Sequence, residues 1–480
     1  MSGLNVFATT YNLNTRGSSL SPTHLQHWLR PAFSSENATS SPDLVVIGVQ
    51  ELIPLYESLS GFGAGFIANF QNAIVAALNT LAASLFPSNA SSFASVAPRS
   101  DHRASSIGSI ILLVFHNTQS LPAQKLGRPS ISRLGLGVGS TYGLDVWSES
   151  RGGYGMGNKG AVGLRIPINR GKEEEVWESF TFVSAHLAAH DENLETRNAN
   201  YRRILSSLLF TPSSSLDKPL RVWQTSHLIF LGDLNYRLAT PLTGLDKALI
   251  DTSLQQRQGD VAADADLAKE REKLVALDTL KQQQARGKAF AFLSEGELAN
   301  FAPTYKRIVG HVDGYNKKRR PGYTDRILFA SYRSRPVSEG YSDNSAETSP
   351  LLAESAGGDT DNDVGSQPRI VTYDSIPDLT VSDHKPVYAF IKIPVPSRDT
   401  GHRYSSQPQT PLISLPTSCA TPATDALSLG TRKAVATATD RIVGLTWYGT
   451  VTLGAGNLMA GIAVEVLLLI VGFTWFMGLW

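Results

Sequence analysis

Short apolar runs rich in β-branched and aromatic residues recur from the N-terminus to residue 393, and nearly every one stops at a polar side chain. The runs are Val6–Tyr11, Leu44–Val49, Ser109–Phe115, Gly160–Ile168, Ser179–Ala185, His227–Leu231, Asp325–Phe329 and Val387–Ile393. Runs of this length bounded by Gly, Pro or Asn read as buried strands. Apolar residues at helical spacing lie between some of them, over Phe66–Leu85 and Arg197–Leu209, and the Ala-rich, charged stretch Val261–Gln284 reads as one surface helix. Buried strands alternating with helices predict a layered α/β domain.

Hydrophobic residues make up 42% of the 480, enough for a large core and too many for a disordered chain. The formal net charge is +1, so bulk electrostatics selects no partner, and attraction to an anion must come from a local cluster. The single cysteine, Cys419, allows no internal disulfide, consistent with a reducing compartment. Residues 1–10 lack a basic segment followed by an apolar one, so no secretory signal is expected, and the sequons at Asn37 and Asn89 then carry no meaning.

Residues 1–396 read as the α/β domain. Ser338–Gln367 is poor in apolar residues and is expected to be a disordered insertion, while 397–440 reads as a flexible Pro/Ser/Thr-rich linker. Residues 441–480 read as a membrane anchor. Leu458–Trp480 is apolar apart from Glu465 and long enough to cross a bilayer as one transmembrane helix, with Arg432, Lys433 and Arg441 on a cytosolic flank. A buried C-terminal helix, or a hairpin of two short segments using Ile442–Asn457, stays open, because Glu465 is costly in lipid.

The strand ends carry the chemistry. Asn12, Glu51 and Asp383 offer hard oxygen ligands of the kind Mg²⁺ takes. Asp233 can accept a proton from an attacking water, with Asn235 orienting it. His384 can donate to a phosphoryl oxygen, given a partner such as Asp325 to hold its tautomer and charge. Taken singly, an Asp after a strand is more often a helix cap, and a lone His186 or Glu51 is more often structural or solvated. Their joint occurrence at successive strand ends favours a site.

Several stretches resemble the inositol polyphosphate 5-phosphatases of the endonuclease/exonuclease/phosphatase superfamily. They are Thr10-Tyr11-Asn12, Gln50-Glu51, Met156 to Ala161, Ala185 to His190 with Arg197-Asn198, Gly232-Asp233-Leu234-Asn235-Tyr236-Arg237, Pro303 to Lys306, Lys317 to Arg326, and Ser382 to Pro386. They run in family order, with aromatic replacements at Tyr11 and Tyr323, where the family usually has Trp. The resemblance implies a four-layer α/β sandwich of two packed mixed sheets flanked by helices, with one Mg²⁺. It implies metal contacts from Asn12 and Glu51, and water handling by Asp233 and Asn235. Contacts to the scissile phosphate would come from His186 and from His384 paired with Asp325. Tyr305, Lys306, Lys317 and Arg319 resemble residues that grip a neighbouring 4-phosphate, and Lys159 is either a phosphate contact or a loop anchor.

The expected activity is Mg²⁺-dependent removal of a 5-phosphate from an inositol phosphate or phosphoinositide such as PtdIns(4,5)P₂, by direct attack of water. The expected protein is a monomer that binds no nucleic acid, anchored to a membrane such as the endoplasmic reticulum with its catalytic domain in the cytosol. A metal-dependent nuclease of the same superfamily shares most of these residues. A membrane-tethered phosphoinositide-binding scaffold is a third reading, for which Asp233 and His384 are not needed.

Overall fold

The computed structural model describes residues 3–33, 41–87, 91–97, 106–137, 157–171, 176–211, 219–239, 250, 261–316, 319–332, 367–395 and 426–476. Two β-sheets pack face to face. The first contains β1 (Leu4–Asn12), β2 (Leu44–Gln50), β3 (Phe93–Ser95), β4 (Ser106–Ile107) and β5 (Ile110–Asn117), with β13 (Arg369–Ser375) and β14 (Val387–Ile393). Its order is β13-β14-β1-β2-β5-β3, with β4 paired to β5. The second contains β6 (Ser130–Gly135), β7 (Gly160–Asn169), β8 (Trp177–His186), β11 (His227–Asp233) and β12 (Asp325–Ser331), in the order β12-β11-β8-β7-β6. A small ribbon, β9 (Leu209–Phe210) with β10 (Leu220–Arg221), lies apart. Both large sheets are mixed: β1–β2 and β8–β11 are parallel and the other pairs antiparallel.

The alternation of side chains along each strand sorts them into layers. Val6 and Ala8 of β1, with Val46, Phe182, Ile229 and Ile327, join the core between the sheets. Phe7 and Tyr11 point the other way, under α1 (Pro22–Leu29) and α3 (Ala64–Leu85) with Trp28, Phe70 and Ile74. On the far side of the second sheet, Val183, Leu228 and Phe230 pack against Tyr201, Ile204 and Leu205 of α4 (Leu194–Ser207). The order helix, sheet, sheet, helix is the expected sandwich.

Several elements depart from the expectation. Strands β6 and β13 were not anticipated; both run along sheet edges, where half-exposed sequences carry weak apolar patterns. The stretch read as one surface helix is two, Val261–Val275 and Thr279–Ala285. Asp278 between them caps the second by accepting from the Lys281 amide at 3.0 Å, and it is buried against Arg326. The insertion expected over Ser338–Gln367 lies outside the described residues except for Gln367 itself.

The C-terminal region is helical from Ala426 to Leu453, beginning inside the range read as linker, and again from Leu458 to Phe476. The transmembrane helix read over Leu458–Trp480 is not supported: among the described residues Leu458–Val471 is long and apolar enough to span a membrane only together with Thr437–Leu453, which meets it at 93°. The corner has a local cause. Ala455 and Gly456 adopt positive φ, and the Asn457 side chain accepts from the Met459 and Ala460 amides, starting a new helix. Among the described residues the one helix apolar enough to cross a membrane alone is α3, which is 44% buried in the domain core.

Candidate functional site

Strand register assembles the site. Asp233, the last residue of β11, lies opposite His186 of β8 on one side and Asp325 of β12 on the other. His186 in turn faces Gly160, immediately after Lys159. In the other sheet Asn12 pairs with Gln50, so the ends of β1 and β2 supply Asn12 and Glu51 to the same rim. The sheets meet there: the Asn12 Nδ2 donates to Asp233 Oδ2 at 2.9 Å.

The turn after β11 cannot be built from arbitrary residues. Gly232 has φ +141°, and a Cβ there would lie 1.9 Å from the Ala185 carbonyl oxygen. Asn235 follows in the left-handed region, its amide donating to Asp233 Oδ1 at 3.1 Å and its Nδ2 to the Leu187 carbonyl at 3.2 Å. Glu51 also has positive φ, the conformation that swings its carboxylate back over the rim.

His186 Nε2 lies 3.2 Å from Asp233 Oδ2, 3.8 Å from Glu51 Oε1 and 2.7 Å from Lys159 Nζ. Lys159 is also 3.9 Å from Glu51. Burial raises the proton affinity of the Asp233 carboxyl, but His186, His384 and Lys159 outweigh it and hold the group well below the usual carboxylate range. Burial lowers the Lys159 ammonium, against the pull of Glu51 and Asp233.

Asp325 Oδ2 accepts from the hydroxyls of Thr304 at 2.6 Å and Thr324 at 2.9 Å, and lies 2.9 Å from His384 Nδ1. Burial opposes the imidazolium, but the Asp325 carboxylate, with Asp233 and Asp383, raises His384 to about 9. Ser382 stitches this loop to β1, donating to the Asn12 carbonyl at 2.7 Å and accepting from the His384 amide at 3.2 Å.

A cationic wall adjoins the pair. The Tyr305 ring packs 4.6 Å from the His384 ring, and the Arg237 guanidinium lies 4.6 Å over that tyrosine. Lys306 Nζ sits 2.9 Å from Asp383 Oδ2, which raises its pKa against the effect of burial. Arg319 reaches to within 3.4 Å of His190 Nδ1. Lys317 lies outside the described residues.

The structure thus brings Asn12, Glu51, Lys159, His186, Asp233, Asn235, Asp325 and His384 to one rim. Asp383, expected beside the metal, has one oxygen engaged by Lys306. Sequence reasoning gave no role to Arg237, which donates to Asn235 Oδ1 at 3.0 Å, or to Asp191, 3.5 Å from Arg237 and 3.8 Å from Arg320. Arg237 was legible as part of the Gly232–Arg237 motif; Asp191 carried no signal.

The donor set suits a hard divalent cation. Carboxylate oxygens of Asp233 and Asp325 lie within 4.8 Å of each other, and Asp325 Oδ1 and Asp383 Oδ1 are buried with no hydrogen-bond partner in the described structure; His384, ion-paired with Asp325, is a neighbour of this group and not a ligand.

Comparison with known proteins places this arrangement. The model of endonuclease/exonuclease/phosphatase family 2 matches residues 9–390. Type IV inositol polyphosphate 5-phosphatase 11 of Arabidopsis thaliana is 34% identical over 233 residues, 48% of this chain and 51% of its own length. Synaptojanin-2 of Rattus norvegicus is 30% identical over 262 residues, 54% of this chain and 15% of its own length. The chain therefore spans about half, or much less, of the curated relatives it matches. Among solved structures, the inositol polyphosphate 5-phosphatase domain of SPsynaptojanin, in complex with inositol (1,4)-bisphosphate and a calcium ion, superposes with a TM-score of 0.53 at 23% identity. That match covers 82% of this chain and 84% of the other, and it is a likeness of fold. With the family model covering nearly the whole sandwich and the rim that gathers these residues, the chain belongs to the endonuclease/exonuclease/phosphatase family.

Proposed function

We propose that the protein is a phosphoric monoester hydrolase that removes the 5-phosphate from an inositol phosphate, with a phosphoinositide headgroup such as that of PtdIns(4,5)P₂ as substrate and Mg²⁺ as cofactor. The observation that carries this reading is the meeting of Asp233, His186 and the His384–Asp325 pair at one rim, beside the cations Lys306 and Arg319. The inositol polyphosphate 5-phosphatases among the relatives support it.

When bound, the cation polarises the phosphoryl group and neutralises developing charge. Asn12 and Glu51, from the ends of β1 and β2, are the residues that would hold it. Asp233 is a weak base, because its neighbours stabilise the carboxylate. It therefore orients the water by accepting a hydrogen bond and takes up the proton only as the P–O bond forms. Asn12 and the Asn235 amide hold that carboxylate in place from two sides. His384, charged at neutral pH, presents its Nε2–H to a phosphoryl oxygen while Asp325 holds Nδ1. The water oxygen bonds to phosphorus and the bond to the inositol oxygen breaks; that oxygen takes a proton from solvent to leave as a hydroxyl, Asp233 returns the water proton to solvent, and inorganic phosphate is released. Lys306, Arg319 and Tyr305 form the wall that receives a neighbouring phosphate, since a second anionic group needs fixed positive charge.

The test is phosphate release from a panel of soluble and lipid inositol phosphates with Mg²⁺, run beside plasmid DNA. Release from 4,5-bisphosphorylated substrates supports the reading. Plasmid nicking without phosphate release assigns a nuclease instead, and lipid binding without turnover assigns a scaffold.

A further inference from the structure

The C-terminal helices do not hang from the domain on a free tether. The Ala426–Leu453 helix lies against α2 (Leu55–Ser60), the short helix that follows Glu51. Gly444 makes the contact close: a Cβ there would lie 2.2 Å from the Ser60 amide nitrogen. The Arg441 guanidinium donates to the Ser60 carbonyl. Tyr56 packs 5.9 Å from Trp447 and 6.1 Å from Tyr448, ring to ring, and Tyr448 continues to Phe62 at 4.7 Å. Asp440 accepts from the Gly157 amide at 3.3 Å. Gly157 stands two residues before Lys159, whose ammonium reaches His186 and Glu51. One helix thus grips both segments that lead into the catalytic rim.

The same helix carries the apolar one. Gly461 lies so close to Thr450 that a Cβ would sit 1.7 Å from its carbonyl oxygen, and the Thr450 hydroxyl donates to Glu465 at 2.6 Å. The one carboxylate of the apolar helix is therefore satisfied inside the helix pair, which lowers its cost in an apolar medium. Residues 466–471 are all apolar and all exposed, from 45% at Val471 to 73% at Leu469. Six consecutive residues go more than once around a helix, so a second protein surface, which covers one side, leaves the rest in water. Phe62, 62% exposed and 4.7 Å from the Tyr448 ring, adds an exposed apolar side chain where the docked helix meets the α/β domain.

We infer that Phe62 and the docked helix pair form one bilayer-facing surface, fixed to the Glu51 and Lys159 segments, so that the membrane holds the catalytic rim in a set orientation. The inference rests on the proposed function only for its kinetic test.

Two measurements decide it. In full-length protein, Phe62→Trp adds a tryptophan whose fluorescence brominated phosphatidylcholine vesicles should quench, beyond the quenching seen in wild type. No added quenching, or flotation only as a detergent-dependent oligomer without lipid, overturns the bilayer assignment whether or not the protein is a phosphatase. Gly444→Leu should break the docking while leaving the apolar helix to float with vesicles. Turnover of vesicle-borne PtdIns(4,5)P₂ should then fall about tenfold or more, as orientation and effective concentration are lost, while turnover of soluble inositol trisphosphate stays within about twofold. Equal turnover of the vesicle substrate by Gly444→Leu and wild type overturns the set orientation. If neither substrate is hydrolysed by wild type, the functional reading fails, and the quenching result still decides the surface.

Discussion

At the scale of single residues, the site works by opposing charges held at fixed separations. Asp233 is surrounded by His186, His384 and Lys159, and each favours its ionised form. Asp233→Ala should lower kcat by about 10²-fold or more, the range for removing one preorganised polar group. Near-wild-type phosphate release would remove Asp233 from the mechanism. Arg319→Ala should raise KM for a 4,5-bisphosphate and leave a substrate without the 4-phosphate nearly unchanged; parallel kinetics on the two check this. His384 supplies a pH signature. Its folded pKa of about 9 exceeds the ordinary 6.5, so it binds more protons folded than unfolded between those values. The stability it contributes is full below 6.5 and lost as pH rises through 9. In metal-free protein, the gap in urea midpoint between wild type and His384→Gln should close over that window, and a constant gap would contradict it.

At the scale of elements, the strand ends position the chemistry and buried ion pairs lock the strands. Arg326, next to Asp325 on β12, is fully buried between Asp278 at 3.0 Å and Glu295, and both acids push its pKa up despite burial. Glu295 also takes Lys281 at 2.9 Å, so β12 is tied to the Thr279–Ala285 helix. Arg326→Leu should cost about 3–5 kcal/mol in denaturant unfolding, because two buried carboxylates are left without it. Gly232→Ala should also destabilise, its methyl meeting the Ala185 carbonyl in a conformation L residues avoid.

At the scale of the whole molecule, two sheets packed face to face bring their strand ends to one rim and create a site to which no single segment contributes more than a few residues. Apolar runs and their polar ends were enough to place the principal buried strands in a layered α/β domain, because a strand buried on both faces must be apolar and the change to polar residues marks where it reaches solvent; the two-sheet sandwich and the grouping of the rim residues followed from the resemblance to the 5-phosphatases. The Gly232–Arg237 stretch was legible only as a family signature; that glycine alone fits its turn came from the structure. Edge strands β6 and β13 escaped, as half-exposed strands carry little apolar signal. Asp278 looked like one more charge on a helix surface, although the structure buries it against Arg326. The pairing of Asp383 with Lys306 and the bridge from Asp191 to Arg237 involve residues far apart in the chain, so no local pattern encodes them. The C-terminal region shows the division most plainly. Its composition identified an apolar helix with one costly acid. Only the fold showed that this helix turns 93° from the one before it, that Thr450 satisfies Glu465, and that Gly444 seats the preceding helix on the α/β domain; the last two depend on which groups approach closely in space.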